Sequence, residues 1–233
     1  MGYLVLVRHG ESRWNREKRF TGWVDVPLSE AGLREAEECA HHCRRFRFTK
    51  AFTSRLERAH QTLHMILAHQ HRTGIVQHHA PASPHRAWVE ASNIVTNHDI
   101  PVVQDGQLNE RYYGKLQGMK KKDAERKYGK DRVREWRRGF HAVPPGGESL
   151  QMTFDRVTPY FKRVIAPVVK RSNTVLLVAH GNTLRAIIKS IEGIGDDAIS
   201  GIDLPQATPI VYQARAGKFI RISGEYHLGR PLR

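Results

Sequence analysis

The sequence predicts an α/β protein: a three-layer α/β/α fold with a mostly parallel central sheet, formed by residues 1–233 as one domain. Short apolar runs alternate with longer segments whose apolar residues recur at helical spacing, which is typical of parallel strands joined by crossover helices. A chain of 233 residues, 39% of them hydrophobic, suits one core. Residues 74–98 are rich in His, Pro, Ser and Asn without a clear period, so they are predicted to be a surface insertion.

The predicted strands are short and apolar. Residues 3–7 and Thr174–Ala179 are continuous apolar runs with β-branched residues, as expected of strands that are buried on both faces of a parallel sheet. Residues 51–53 are a shorter candidate. Two late edge strands are predicted, one near Val211 and one at residues 219–222.

The predicted helices lie between and after these strands. Ser29 is a candidate N-cap for the first of them. The long amphipathic helix that follows Ser149 contains Pro159 and Pro167, which are expected to bend it. The helical segments cover residues 33–43, 56–69, 121–140, 150–168 and 182–191.

The charge balance favours anionic partners. The chain has 38 Lys and Arg against 23 Asp and Glu, a formal net charge of +15, and much of the excess lies in residues 115–138. A phosphorylated metabolite, a nucleic acid and a membrane surface would all suit that sign. The basic run has neither a nucleic-acid-binding motif nor interleaved aromatic residues, so no specific nucleic-acid partner is predicted.

Neither a membrane segment nor a disulfide is predicted. The first apolar run ends at Arg8, too early for a membrane span or a signal sequence. Cys39 and Cys43 are four residues apart on one predicted helix, where a reduced pair in the cytoplasm fits better than a disulfide.

The 14 histidines raise the question of a metal site. Those at positions 41, 42, 69 and 71, and those within residues 74–98, lack the spacing of a metal-binding motif with a carboxylate partner. The Cys-Ala-His-His-Cys run at residues 39–43 places its side chains on different faces of a helix. No metal site is therefore predicted.

Two predicted strands end in the same way. The first leads into Arg8-His9-Gly10 and the late one into His180-Gly181-Asn182. Ligands of open parallel sheets bind beyond the carboxyl ends of the strands, and glycine lets the backbone present N–H groups to an anion there. A neutral imidazole is a competent nucleophile towards phosphorus, and the N–P bond passes the group on readily. The pattern predicts phosphoryl transfer through His9, with Arg8 and Arg58 stabilising phosphate charge and His180 becoming cationic beside it.

Five sequence blocks support this chemistry. They are residues 4–32, which contain R-H-G-E-S and F-T-G-W, F-T-S-R-L-E-R-A at 52–59, L-N-E-R-Y-Y-G-K-L-Q-G at 108–118, W-R-R-G-F at 136–140 and A-H-G-N-T-L-R-A at 179–186. In this order they resemble the cofactor-dependent phosphoglycerate mutases of the histidine phosphatase superfamily. R-H-G alone would indicate only the superfamily, whereas F-T-G-W together with L-N-E-R-Y-Y-G is more particular to the mutases.

The resemblance implies a reaction and a role for each matching residue. The reaction is the glycolytic and gluconeogenic interconversion of 3-phosphoglycerate and 2-phosphoglycerate, with 2,3-bisphosphoglycerate as phosphoryl primer and intermediate and without a metal. His9 would carry the phosphoryl group, His180 would stabilise it, and Glu110 would donate and accept the proton, beside Arg8 and Arg58. Substrate and cofactor contacts are implied for Arg8, Ser12, Asn15, Thr21, Gly22, Arg58, Glu110, Arg111, Tyr113, Lys121, Arg137, Arg138, Gly181 and Asn182.

Alternatives remain at this point. A phosphohistidine-dependent phosphatase of small phosphorylated metabolites, or a bisphosphoglycerate mutase or phosphatase, would share the same catalytic residues. A basic nucleic-acid-binding protein is a more distant alternative. The family includes monomers, dimers and tetramers, so a homo-oligomer is left open. The short segment at residues 144–149 and the end of the sequence at Arg233 depart from longer members, and we expect more phosphatase leakage than in those.

Overall fold

The computed structural model describes residues 1–77 and 99–224, together with the backbone of His227–Leu228. The strands are β1 (Gly2–Arg8), β2 (Lys50–Thr53), β3 (Thr73–Val76), β4 (Asp99–Gln104), β5 (Thr174–Ala179), β6 (Ile202–Asp203), β7 (Pro209–Arg215), β8 (Lys218–Ser223) and β9 (His227–Leu228). Seven of them form the main sheet in the order β3-β4-β2-β5-β1-β7-β8, and β6 and β9 form a separate small ribbon.

The sheet is mostly parallel, as the sequence predicts. Strands β3, β4, β2, β5 and β1 are parallel neighbours, whereas β7 and β8 are antiparallel. The expectation of two late edge strands is half wrong, because β7 lies between β1 and β8 and only β8 is at the edge. The tight turn at Ala216 and Gly217, both with positive φ, folds β8 back on β7 and makes β7 an inner strand.

Helices cover both faces of the sheet, which gives the three layers. Alternate side chains of β1 explain the layering. Leu4 and Leu6 belong to one core with the helices that follow Ser149 and His180, and Val5 and Val7 belong to the other core with the helices that follow Ser29 and Leu56. Among the described residues, no helix is long and apolar enough to cross a membrane. The helices are α1 (Arg13–Arg16), α2 (Glu30–Cys43), α3 (Glu57–Ala68), α4 (Lys121–Tyr128), α5 (Lys130–Arg138), α6 (Leu150–Tyr160), α7 (Ala166–Lys170), α8 (Gly181–Glu192) and α9 (Asp196–Ile199).

Two predicted helices are interrupted. The basic segment 121–140 forms α4 and α5, which Gly129 separates with a φ of 87°. The long helix after Ser149 contains a π-helical stretch, Phe161–Ile165, between α6 and α7. This stretch lies between Pro159 and Pro167, and a missing proline N–H is a frequent reason for such an irregularity. Ser29 caps α2 as predicted, with its Oγ accepting from Gly32 N at 3.1 Å.

The beginning of the predicted insertion belongs to the sheet. Residues 74–76 are part of β3, which pairs with β4 in parallel. Its four residues alternate between exposed and half-buried positions at the sheet edge, so they lack the apolar run by which the inner strands are recognised. Residues 78–98 of the predicted insertion lie outside the described residues.

The order of the strands brings the two His-Gly pairs together. Strands β1 and β5 are direct neighbours, with Arg8 opposite Ala179 in the parallel register. His9 and His180 are the next residues on the two strands, so both imidazoles lie at the carboxyl edge of the sheet. Helix α8 begins at Gly181 at the same edge.

Candidate active site

His9 is buried at the end of β1, with only 3% of its surface exposed. Its Nδ1 is 2.7 Å from the carbonyl oxygen of Gly10. A carbonyl only accepts hydrogen bonds, so Nδ1 carries the proton and Nε2 keeps its lone pair. Burial, together with the positive charges of Arg58 and Arg8, holds the pKa of His9 well below its ordinary value, although the bond to Gly10 acts in the opposite direction. The ring is therefore neutral and nucleophilic at neutral pH.

Arg58 lies directly against the unprotonated nitrogen of His9, Nε2. Its Nε donates to His9 Nε2 at 3.3 Å, while Nη1 and Nη2 donate to the carbonyl oxygens of Val24 and Gly22 at 3.1 and 2.8 Å. Burial lowers the pKa of Arg58 to about 10, so the guanidinium stays charged at neutral pH. A phosphoryl group on His9 Nε2 would meet this fixed positive charge.

Arg8 supplies a second guanidinium beside His9. Its Nη1 donates to the carbonyl oxygen of Leu204 at 2.6 Å, and its own carbonyl accepts from Ala207 N at 2.8 Å. The segment before β7 therefore holds Arg8 from both sides. Burial lowers the pKa of Arg8, and the nearby Glu110 carboxylate partly offsets that effect.

His180 lies next to His9, with ring centroids 5.0 Å apart in an edge-to-face arrangement. It is fully buried, and its Nε2 is 2.7 Å from Ser54 Oγ. Burial, followed by the charges of Arg58, His9 and Arg8, lowers its pKa well below the ordinary value. In the free site His180 is thus neutral, and the cationic form expected beside a phosphate requires the negative charge of a ligand.

Glu110 presents its carboxylate to the same space. One oxygen, Oε1, accepts from Arg111 N at 2.7 Å, from Asn182 Nδ2 at 2.9 Å and from Asn182 N at 3.3 Å. The Glu110 carbonyl oxygen accepts from the indole of Trp23. The backbone and one carboxylate oxygen are therefore fixed, and none of the hydrogen bonds among the described residues uses Oε2.

A second group of cations lines the outer wall of the site. Lys121 is the first residue of α4, and Arg137 and Arg138 are the last two of α5. Burial lowers the pKa of Lys121 to about 8, and the positive charge of Arg137 is the second contribution in the same direction. The basic segment therefore directs these three charges into the site.

Most predicted site residues line one cleft that is open to solvent. Three do not. Ser12 caps α1 by accepting from Asn15 N at 3.2 Å, and Arg111 lies fully buried behind the wall, where Nη2 donates to Tyr113 Oη at 3.0 Å. His180 is beneath the cleft. The predicted residues that line it are Arg8, His9, Asn15, Thr21, Gly22, Arg58, Glu110, Tyr113, Lys121, Arg137, Arg138, Gly181 and Asn182.

The cleft also contains residues that the sequence reasoning missed: Arg19, Phe20, Arg185 and Asp203. Arg185 follows Asn182 by three positions on α8, so helical spacing could have indicated it. Asp203 is brought in by β6 and has no local sequence signal. Thr62 is a supporting residue that was also missed, since its Oγ1 accepts from Gly10 N at 3.1 Å and donates to the Arg58 carbonyl at 2.9 Å.

Comparison with known proteins agrees with this geometry. The model of the histidine phosphatase superfamily (branch 1) matches residues 4–80 and 77–221. The chain belongs to this superfamily. Two similar curated proteins, both named 2,3-bisphosphoglycerate-dependent phosphoglycerate mutase, confirm the resemblance seen in the sequence blocks. The one from Pseudoalteromonas atlantica is 44% identical and the alignment covers 91% of this chain and 94% of the relative; for Methanosarcina acetivorans the values are 39%, 97% and 96%.

Two solved structures show the same fold. The mycobacterial glucosyl-3-phosphoglycerate phosphatase in complex with VO3 superposes with a TM-score of 0.74 at 20% identity, covering 99% of this chain and all of that one. The alpha-ribazole phosphatase from Shigella flexneri gives 0.73 at 19% identity, with 99% and 98% coverage.

A group of potential metal ligands lies away from the cleft. Glu37, His41 and His69 have ligand atoms within 4.8 Å of one another, so the structure gives two of the histidines the carboxylate neighbour that the sequence did not reveal. Both helices that carry them start at the carboxyl edge of the sheet and end at the opposite edge. The group therefore lies near the ends of these helices that point away from the cleft.

Proposed function

We propose that this protein interconverts 3-phosphoglycerate and 2-phosphoglycerate through a phosphohistidine at His9, with 2,3-bisphosphoglycerate as the primer. One observation carries the proposal: a single cleft joins a neutral histidine nucleophile to a carboxylate that can carry a proton and to a second, separate cluster of positive charge. A phosphoglycerate has a phosphate, hydroxyls and a carboxylate, and these three groups match the three parts of the cleft.

The first step forms a bond to His9. Nε2 attacks the phosphorus atom, and the N–P bond forms as the P–O bond of the ester breaks. Arg58 and Arg8 face the equatorial oxygens, where negative charge is spread in the transition state. The hydrogen bond from Nδ1 to Gly10 stabilises the ring as it becomes positively charged.

Glu110 handles the proton in both directions. When the P–O bond breaks, the protonated carboxyl group gives its proton to the departing oxygen. In the return step the carboxylate takes the proton of a substrate hydroxyl while that oxygen attacks the phosphorus on His9. The fixed Oε1 leaves Oε2 as the atom that we assign to proton transfer.

The residues fit a ligand with several anionic groups. Buried polar atoms around the cleft lack hydrogen-bond partners among the described residues, namely Arg8 Nε, Thr21 Oγ1 and Arg185 Nε. Buried donors are rarely left unpaired in folded proteins, so these atoms suit phosphate and carboxylate oxygens. When bound, 2,3-bisphosphoglycerate supplies the phosphoryl group that loads His9. Arg8 and Thr21 would hold one phosphate, and the outer cations would hold the remaining anionic groups, the second phosphate and the carboxylate.

We place the reaction in the cytoplasm, where the free, buried pair Cys39 and Cys43 suits a reducing environment. Small phosphoglycerates are the proposed partners.

The experiment starts from 3-phosphoglycerate, with and without a trace of 2,3-bisphosphoglycerate, and follows 2-phosphoglycerate and free phosphate together. We expect rapid isomerisation that depends on the primer, with little phosphate released. Release of phosphate without isomerisation would contradict the proposal and indicate a phosphatase that uses the same residues. His9→Ala should lose either activity, and His64→Ala, an exposed histidine on α3, should retain it.

A further inference from the structure

Two of the charged residues in the cleft, Arg185 and Asp203, were not predicted from the sequence. Arg185 on α8 is only 7% exposed, although it lines the cleft. Its Nη1 donates to Asn182 Oδ1 at 3.2 Å, and Asn182 Nδ2 donates in turn to Glu110 at 2.9 Å. A chain of hydrogen bonds thus connects Arg185 to the carboxylate that is proposed to transfer the proton.

The guanidinium of Arg185 is incompletely paired. Its Nε has no hydrogen-bond partner among the described residues. Burial lowers its pKa to about 10, and the nearby charge of Arg138 acts in the same direction. A buried cation is unfavourable unless hydrogen-bonded anionic groups, from the protein or from a ligand, complete its pairing.

Asp203 is the carboxylate nearest to Arg185 and Arg138. Its Oδ1 is 3.8 Å from Arg185 Nη2 and 3.6 Å from Arg138 Nη1, beyond the length of a direct hydrogen bond in both cases. The Asp203 side chain is 64% exposed, so it can move towards water at little cost. Its Oδ1 thus faces both guanidinium groups, and a ligand carboxylate in its place could bridge them.

We propose that Arg185 is a specificity-determining residue that binds the carboxylate of the substrate together with Arg138, and that Asp203 is an internal carboxylate which competes for the same pair. The inference rests on the proposed function only in naming phosphoglycerate as the ligand. The cleft then prefers phosphate esters that carry a carboxylate, and the loose pairing of Asp203 keeps the two arginines in place until that carboxylate arrives.

The test compares two ligands that differ at one group. Glycerol 3-phosphate has a CH₂OH group where 3-phosphoglycerate has its carboxylate, so the ratio of their Kd values, measured by isothermal titration calorimetry, isolates the carboxylate. We expect the wild-type protein to prefer 3-phosphoglycerate by at least about tenfold, the worth of one charge-assisted pair. Arg185→Gln should reduce that preference by about tenfold while the Kd of glycerol 3-phosphate changes little. Arg134→Gln on the exposed side of α5 is the matched control and should leave the ratio unchanged.

Asp203→Asn tests the competition and avoids any loss of folding at a buried arginine. We expect it to bind 3-phosphoglycerate about threefold to tenfold more tightly, with no change for glycerol 3-phosphate. Weaker binding of 3-phosphoglycerate by Asp203→Asn would refute the competition. The specificity role would be refuted if Arg185→Gln left the ratio of the two Kd values unchanged, even with both ligands bound more weakly. It would also be refuted if the wild-type protein showed no preference. These binding measurements do not depend on turnover. A protein that prefers 3-phosphoglycerate here, but does not isomerise it in the assay of the proposed function, would contradict the proposed function and leave the specificity role standing.

Discussion

At the residue scale, the site depends on histidines that are kept neutral. His9 and His180 are buried beside the positive charge of Arg58, and this environment lowers the pKa of both imidazoles. A neutral His9 has the lone pair that a nucleophile needs, and a neutral His180 can gain a proton when a phosphate arrives. The positive charge of Arg58 would therefore both keep the nucleophile neutral and attract its anionic substrate.

Lys121 provides a prediction about pH. Burial lowers its pKa to about 8, so the side chain is positively charged below that pH and becomes neutral above it. We expect kcat/KM, which reports the free enzyme, to fall as the pH rises through about 8 because an anion-binding charge is lost. Lys121→Arg should move this decline to higher pH, whereas Lys122→Arg, at the exposed neighbouring position, should not. An identical alkaline limb in all three proteins would show that another group titrates.

At the element scale, two close backbone contacts position His9. Helix α2 packs its first turn against the loop after β1, and a Cβ added to Gly32 would lie 2.0 Å from the carbonyl oxygen of Glu11. A Cβ on Gly10 would lie 2.5 Å from the carbonyl oxygen of Gly32. Both contacts are with backbone atoms, which cannot rotate away. The glycines thus allow the helix to support the catalytic loop directly.

This contact predicts an unusual effect of alanine in a helix. Gly→Ala within a helix normally stabilises a protein by about 0.5–1 kcal/mol. Gly32→Ala should instead lower the free energy of unfolding by about 2 kcal/mol and reduce kcat, because the loop that holds His9 must shift. Gly195→Ala is the control, since a Cβ there meets nothing within 4 Å. Urea unfolding and initial rates measure both effects, and a Gly32→Ala protein as stable as the control would contradict the proposed support.

The sequence predicts those elements whose local pattern matches their environment. Strand β5 is buried on both faces and forms an uninterrupted apolar run in the sequence. The edge strand β3 alternates instead, so most of it falls within the predicted insertion. The residues next to the two His-Gly pairs were predictable because parallel neighbouring strands end at one edge. The presence of Asp203 in the cleft was not predictable, because its position depends on the path of β6 across the fold. Ser12 matched a motif, but its hydroxyl is used to cap α1.

At the scale of the whole molecule, charge is distributed unevenly. The formal charge is +15, and helices α4 and α5, which contain much of the excess, form the outer wall of the cleft. Such a field attracts anionic ligands from solution and accelerates their association. The exposed lysines of α4, including Lys122 and Lys127, can act in this way without touching the substrate.

This field predicts a dependence on salt. Raising the ionic strength from about 10 mM to about 150 mM shortens the Debye length from about 30 Å to about 8 Å. We expect kcat/KM to fall by about threefold to tenfold, with a much smaller change in kcat. The double variant Lys122→Gln with Lys127→Gln should show a weaker dependence on salt. A kcat/KM that does not change with salt would mean that only local contacts attract the substrate.

Direct labelling tests whether His9 carries the phosphoryl group. The protein is mixed briefly with ³²P-labelled 2,3-bisphosphoglycerate, denatured in alkali, and the bound label is located by peptide mapping. We expect label that is stable in alkali and lost in acid, at His9 alone. It should be present in His64→Ala and absent from His9→Ala. Label on another residue, or label that survives in His9→Ala, would contradict this role of His9.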